Sequence, residues 1–335
     1  MKTKTFLIFV IPSLVMMLVF IAVPLGISIV QSFQNTQNVL IKKEQKKCDP
    51  FGCQKVISTI PLLDEMGKPV TKTKWVGWEN YKTLLEPDRV SQAFSEEGGG
   101  FSELLGIDFY KAFRFTITFT LLTLPMVIIV GLILALAVNS IHRRYRGPVI
   151  FITLLPFVIT PVIGALSIKW LFIGDGILTA TIEAMTNSDI AVFSNPLAVE
   201  ALVLFFRVWH TAPFVFVILY AGLQTLNFDS LEAAIIDGAS RWERLRYIIV
   251  PHIMPLIVFV SLIHLMDAYR VFDEIIGFGA EAHVMSLQWL TFDFLMPDDT
   301  GNRSIGRASA SAMLTMVGII ILLIPVLRRT WKEQR

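Results

Sequence analysis

Seven ionisable side chains stand inside long runs of apolar sequence, where such groups are rarest. Arg207 and His210 share one run; His264, Asp267, Arg270 and Asp273 share another, and Lys169 stands in a third. A charge at the centre of a bilayer costs about 2.5–3.5 kcal/mol on insertion scales, so these groups face either a water-filled cavity or a partner of opposite charge. The chemistry they suggest is the passage of a polar solute, or else structural pairing. Asp267 and Arg270 are three residues apart, which puts them on one helical face within reach of each other. A catalytic reading finds less support. The histidines (142, 210, 252, 264 and 283) are scattered, no convergent acid, base or metal set emerges, and no metal site is expected.

The runs themselves set the class. Of 335 residues, 54% are hydrophobic and 17% charged, with a mean hydropathy of +0.63. A soluble domain cannot hide that much apolar surface, and its charged share is nearer a quarter. Six blocks reach the length of about 20 residues that crosses the hydrocarbon core as a helix: 6–29, 113–138, 149–172, 199–223, 256–276 and 308–327. The first block is too long for a secretory h-region and no A-x-A site follows it, so it reads as an uncleaved span. An all-α integral membrane fold of about six helices is expected.

Charge placement orients the chain. Lys2, Lys4, Arg143, Arg144, Arg146, Arg241, Arg244, Arg246, Arg328, Arg329, Lys332 and Arg335 lie at the ends and in short loops on one side. The short loops on the other side carry only Arg303 and Arg307. The positive-inside rule then puts both termini in the cytoplasm of a multi-pass inner-membrane protein. A net charge of +2 gives no reason to expect nucleic acid.

Three regions follow: 1–33, the N-terminal tail and first span; 34–110, a long external loop or small lobe; and 111–335, the remaining spans. The external region holds Lys42, Lys43, Lys46, Lys47 and both cysteines, Cys48 and Cys53. A disulfide between those two and a pair of free thiols are both open readings in an oxidising compartment. Trp75, Trp78, Tyr81 and Leu84 stand at helical spacing and predict partial order there. Pro125, Pro156, Pro161 and Pro213 fall inside spans, where neighbouring helices can satisfy the freed carbonyls.

Between the fourth and fifth blocks lies the segment NFDSLEAAIIDGASRWERLRYIIVPHIMP, residues 227–255. Asp229 is placed to cap a short helix, with Glu232 three residues on. Gly238 suits its left-handed end. Ser240 and Glu243 form a second capping box, and the helix they start is expected to stop at Pro251. The result is an amphipathic elbow on the cytoplasmic side, slim at Ala233 and Ala234 and shaped to enter a groove on a partner.

This segment resembles the EAA loop of the permease subunits of ABC importers: Glu-Ala-Ala, three residues, Gly, about nine residues, then an apolar residue and a Leu-Pro-like end. Glu232, Ala233, Ala234, Gly238, Ile248 and Pro251 fit it, with Val250 in place of the usual Leu. Further segments resemble the sugar branch of the family, and within it the larger maltose-type subunit: 76–85, 155–172, 212–226, 270–278 and 305–316. The Gly-Gly-Gly-Pro that follows VFDEI in that branch is replaced here by GFGAEAHV.

The resemblance implies a type I importer permease with a five-helix core over 111–335 and a coupling loop over 227–250. Glu232, Ala233, Ala234, Asp237 and Gly238 would meet a cytoplasmic ATPase. It implies two ATPase subunits, a second permease subunit and an external solute-binding protein as partners, besides membrane lipid. The chain would need no cofactor of its own, ATP and Mg being held by the ATPase subunits. The sequence has no G-x-x-x-x-G-K-[ST], H-E-x-x-H or G-x-S-x-G motif, so the chain is expected to be no enzyme.

On this reading Arg207, His210, His264, Asp267, Arg270 and Asp273 are candidates for the solute path. Trp209, Tyr220 and Tyr269 are candidates for stacking on sugar rings, or for ordinary packing. Alternatives remain: a permease for a polyol, glycerol phosphate or an amino acid, an anionic sugar derivative in view of Lys169, Arg207 and Arg270, and a secondary carrier, which would often show inverted repeats. No internal repeat is evident.

Overall fold

A computed structural model describes residues 3–49, 52–95, 99–174, 176–186, 192–298 and 301–333. Among these, five helices are long and apolar enough to cross a membrane: Phe9–Ser32, Asp108–Ser140, Pro196–Gln224, Arg241–Ala268 and Ile305–Pro325. The third apolar block, 149–172, departs from expectation. It folds as two helices, Arg143–Val158 and Pro161–Phe172, bent by 93°. Pro161 explains the break. Its ring disfavours the helical region for the residue before it, and Ile159 and Thr160 are extended, at ψ 135° and 139°.

Two other prolines do not end their helices. Pro251 was expected to stop the helix begun at Ser240, yet a continuous helix runs from Arg241 to Ala268. A π-turn over Leu245–Ile249 precedes Val250, whose N–H reaches back to the Leu245 carbonyl. The same arrangement recurs in the first span, where a π-turn over Leu18–Ala22 precedes Val23 and Pro24. A proline ring collides with the carbonyl four residues earlier. A local π-turn shifts that carbonyl's bonding and lets the helix continue.

The chain divides into two compact units. One comprises residues 1–111 and 287–318, the other 112–286 and 319–335.

In the first unit, Gln34–Asn38 pairs antiparallel with Thr71–Trp75, and Leu40–Asp49 pairs with Gly52–Pro61. Residue Trp75 therefore belongs to a strand, and the helix expected from its spacing begins only at Glu79. The aromatic residues still gather, but around Phe33: Trp75, Trp78 and Tyr81 lie with ring centroids 5.7, 5.0 and 5.6 Å from it. Buried Asn80 donates to the carbonyls of Ser32 and Gln34, at 2.8 and 3.0 Å, fixing the end of the first span to this lobe. Cys48 and Cys53 are direct partners in the hairpin register; their side chains lie outside the described residues.

In the second unit, Val127, Ala135, Val208, Phe216, Leu219, Ile253 and Val260 form a buried core shared by three span helices. Close approach depends on Gly131. A Cβ there would stand 2.8 Å from Val215 Cγ1 and 3.1 Å from the Phe216 nitrogen. Small residues allow such contact between membrane helices, where van der Waals packing replaces the hydrophobic drive. We expect Gly131→Leu to push the two helices apart and cost about 1–3 kcal/mol. A fall of the unfolding midpoint in detergent would register it, and an unchanged midpoint would refute the packing.

Candidate functional site

Two places on the second unit gather the residues singled out in the sequence. The first is the elbow. Its helix runs from Phe228 to Ile236, and its cap is Asn227, not Asp229: the Asn227 side chain accepts from the Asp229 N–H at 2.9 Å. Asparagine one residue before the helix can receive this bond, whereas Asp229 already lies inside the first turn. The C-terminal end forms a Schellman motif. The Ala239 N–H donates to the Ala234 carbonyl and the Gly238 N–H to that of Ile235, at 2.9 and 3.1 Å. Gly238 takes φ +80° with open space around it, so backbone conformation rather than crowding requires glycine there. Ser240 and Glu243 close the capping box, with bonds of 3.2 and 2.7 Å.

The elbow thus has both helix ends locked while its apolar side chains stay uncovered. Ile236 is 85% exposed, Trp242 66% and Ile235 55%. Glu232, Ala233, Asp237 and Gly238 are exposed as well, and Ala234 is half-buried.

The second place is a groove of about 530 Å³ inside the spans. Arg207, His210, His264, Asp267 and Asp273 all line it, beside Phe157 and Phe214. Arg207, 5% exposed, organises it. Its Nη1 donates to Glu274 Oε1 at 2.5 Å and its Nη2 to Asp267 Oδ2. The expected pairing of Asp267 with Arg270 does not form. The helix ends at Ala268, so Arg270 leaves the shared face and is exposed, while Asp267 turns to Arg207.

Glu274 was missed by sequence reasoning. It is 1% exposed and lies in the first turn of the short helix Asp273–Phe278, which packs on Pro161–Phe172. A buried carboxylate needs an ionic partner, so two adjacent acids near one intramembrane arginine carried the signal; nothing told which acid would turn inward.

His264 is bonded to Thr123 at 3.0 Å, and His210 to the Ile159 carbonyl at 2.9 Å. The second bond holds the extended break in the bent pair. Lys169 is not part of the groove lining; it lies over the Phe193 ring, 5.8 Å from the centroid. Tyr269 is fully buried, a core side chain, and Tyr220 packs near Phe216. Trp209 sits 5.9 Å from Phe206.

Comparison with known proteins agrees with this architecture. Residues 108–330 match the family model described as binding-protein-dependent transport system inner membrane component. The chain belongs to that family: it is a membrane-embedded transport component. It is 29% identical over 225 residues to the trehalose/maltose transport system permease protein MalF of Thermococcus litoralis, covering 66% of this chain and 74% of that one. It is 30% identical over 252 residues to the trehalose transport system permease protein SugA of Mycobacterium tuberculosis, covering 73% and 77%. A bacterial ABC transporter that imports the acidic polysaccharide alginate matches in fold, with TM-score 0.69 and 18% identity, over 99% of this chain and 98% of the other.

Removing Arg207 should be costly. Arg207→Ala leaves Glu274 buried without its partner, and breaking a buried pair costs about 3–5 kcal/mol. The double variant Arg207→Met with Glu274→Gln should recover part of that loss. Thermal unfolding of the purified protein measures both, and equal destabilisation of single and double variants would contradict the pairing.

Proposed function

We propose that the chain is the permease subunit of an ATP-driven importer that carries a sugar or sugar derivative inward by alternating access. The observation that carries this is the elbow: a helix fixed at both ends, with exposed isoleucines and the exposed Trp242 just after it, set between two span helices. A rigid element of this kind can transmit a partner's movement, while a flexible loop would absorb it. Relatives named for trehalose, maltose and lactose transport support the choice of sugar.

In the proposed assembly two cytoplasmic ATPase subunits supply ATP hydrolysis, with ATP and Mg bound to them. The present chain has no nucleotide-binding motif of its own. A second permease subunit completes the pathway, and an external solute-binding protein delivers the solute. Both termini and the elbow lie on the cytoplasmic side, as the distribution of Lys and Arg supports. Glu232, Ala233, Ala234, Asp237 and Gly238 form the contact with the ATPase. ATP favours one of two states of the bundle through its differential binding. His210, His264, Asp267 and Asp273 border the solute path beside the Arg207 pair. Arg270 stands outside that lining. Cys48 and Cys53, opposite each other in the hairpin register, form a disulfide in the oxidising external compartment.

Coupling is testable in the assembled complex. Gly238→Val forces a β-branched residue into a left-handed conformation that costs about 1–3 kcal/mol, and Glu232→Lys inverts a surface charge. Both variants should insert normally yet lose solute uptake. Wild-type uptake by both would remove the assignment of the elbow.

A further inference from the structure

We infer that the groove beside Arg207 is selective for a solute rich in hydrogen-bond donors and without negative charge: a neutral or amino-bearing sugar, not a carboxylated one. The inference rests on the sugar-permease reading and narrows it.

The argument starts from which polar atoms are already committed. Among the described residues Arg207 has the only Lys or Arg head group in the groove lining, and it is spent on two carboxylates, Asp267 and Glu274. Its Nε is buried and has no partner among the described residues, but the guanidinium charge is matched twice over. Asp273, exposed at the groove, has no hydrogen-bond or salt-bridge partner among the described residues. One cation therefore faces three carboxylates, and the local balance is acidic.

The histidines fix their tautomers, and one of them adds an acceptor. The Thr123 hydroxyl has one proton, and the Phe119 carbonyl takes it at 2.8 Å. The Thr123 oxygen must then accept from His264 Nε2–H, 3.0 Å away. In the neutral ring this leaves Nδ1 as a bare acceptor, and that atom is buried without a partner among the described residues. His210 follows the same logic. A carbonyl can only accept, so Nε2–H donates to Ile159 and Nδ1 becomes the acceptor.

The lining thus offers the His210 Nδ1 acceptor, Asp273, and the remaining lone pairs of Asp267, while His264 Nδ1 is buried away from a solute. Sugar hydroxyls and ammonium groups are donors and complement such a set. A carboxylate has acceptors only and meets like charge. Phe157 and Phe214, stacked with centroids 5.4 Å apart, give the groove an apolar wall on which a ring face can rest. The arginine and lysine residues that left an anionic solute open are accounted for: Arg207 is neutralised, while Lys169 and Arg270 lie outside the lining.

The test uses the full complex in lipid nanodiscs, without the solute-binding protein, so that the permease itself is read. Saturation-transfer NMR compares three disaccharides of one skeleton: neutral, amino-substituted and carboxylated. The first two should bind, and the carboxylated one about tenfold more weakly or worse. Asp273→Asn should narrow that gap. Equal or tighter binding of the carboxylated sugar to the wild type overturns the inference, as does absence of binding by all three. The parent reading is checked separately, by stimulation of ATP hydrolysis when sugar-loaded binding protein is added. Its failure there removes the sugar assignment itself, whatever the groove prefers.

Discussion

One buried guanidinium holds the transport unit in register. Arg207 stands on a span helix, Asp267 at the end of the next, and Glu274 on a short helix beyond it. Taking these charges out of water is expensive, and their mutual attraction offsets that cost only while all stay in contact. The network therefore fixes where the helix 241–268 must end and how the segment after it returns. The bent pair is tied to the same place from the other side. The His210 bond to Ile159 holds the extended break, and Asp273–Phe278 packs on the helix after it.

Prolines shape the rest, and their effect depends on what the backbone can do next. At Pro161 the preceding residues turn extended and the direction changes by 93°. At Pro24 and Pro251 a π-turn takes up the steric conflict and the helix continues. The second case matters for transport. Because the helix is unbroken from Arg241 to Ala268, Trp242 at its start stands on the same helix as His264 and Asp267. In the proposed assembly a displacement of Trp242 would be carried along that helix toward the groove.

Much of this was legible in the sequence, for a physical reason. Span helices must satisfy every backbone group internally and bury apolar side chains in lipid, so composition finds each apolar block, though not the 93° break in 149–172 or the helix end at Ala268. The end of the elbow helix at Gly238 and the box of Ser240 with Glu243 are also local, and both form. What escaped was decided by tertiary contact. Asn227 and Asp229 are equally good caps in isolation, and helix register chose between them. Asp267 had Arg270 in sequence reach, but the helix ended first and Arg207 supplied a better partner. Glu274 looked no different from Asp273 until the fold buried one and left the other open. Trp75 fitted a helical period yet was drawn into a strand by pairing with Gln34.

The central claim is that a motor subunit grips the elbow from the cytoplasm and moves the bundle through it. The most direct measurement places one cysteine at position 236 (Ile236→Cys, with Cys48→Ser and Cys53→Ser) in the assembled importer and adds a short bifunctional thiol reagent. The account predicts an adduct between this chain and an ATPase subunit, with a yield that changes when ATP is bound. An adduct with no ATPase subunit, or labelling of position 236 by an impermeant reagent applied outside intact cells, would contradict it.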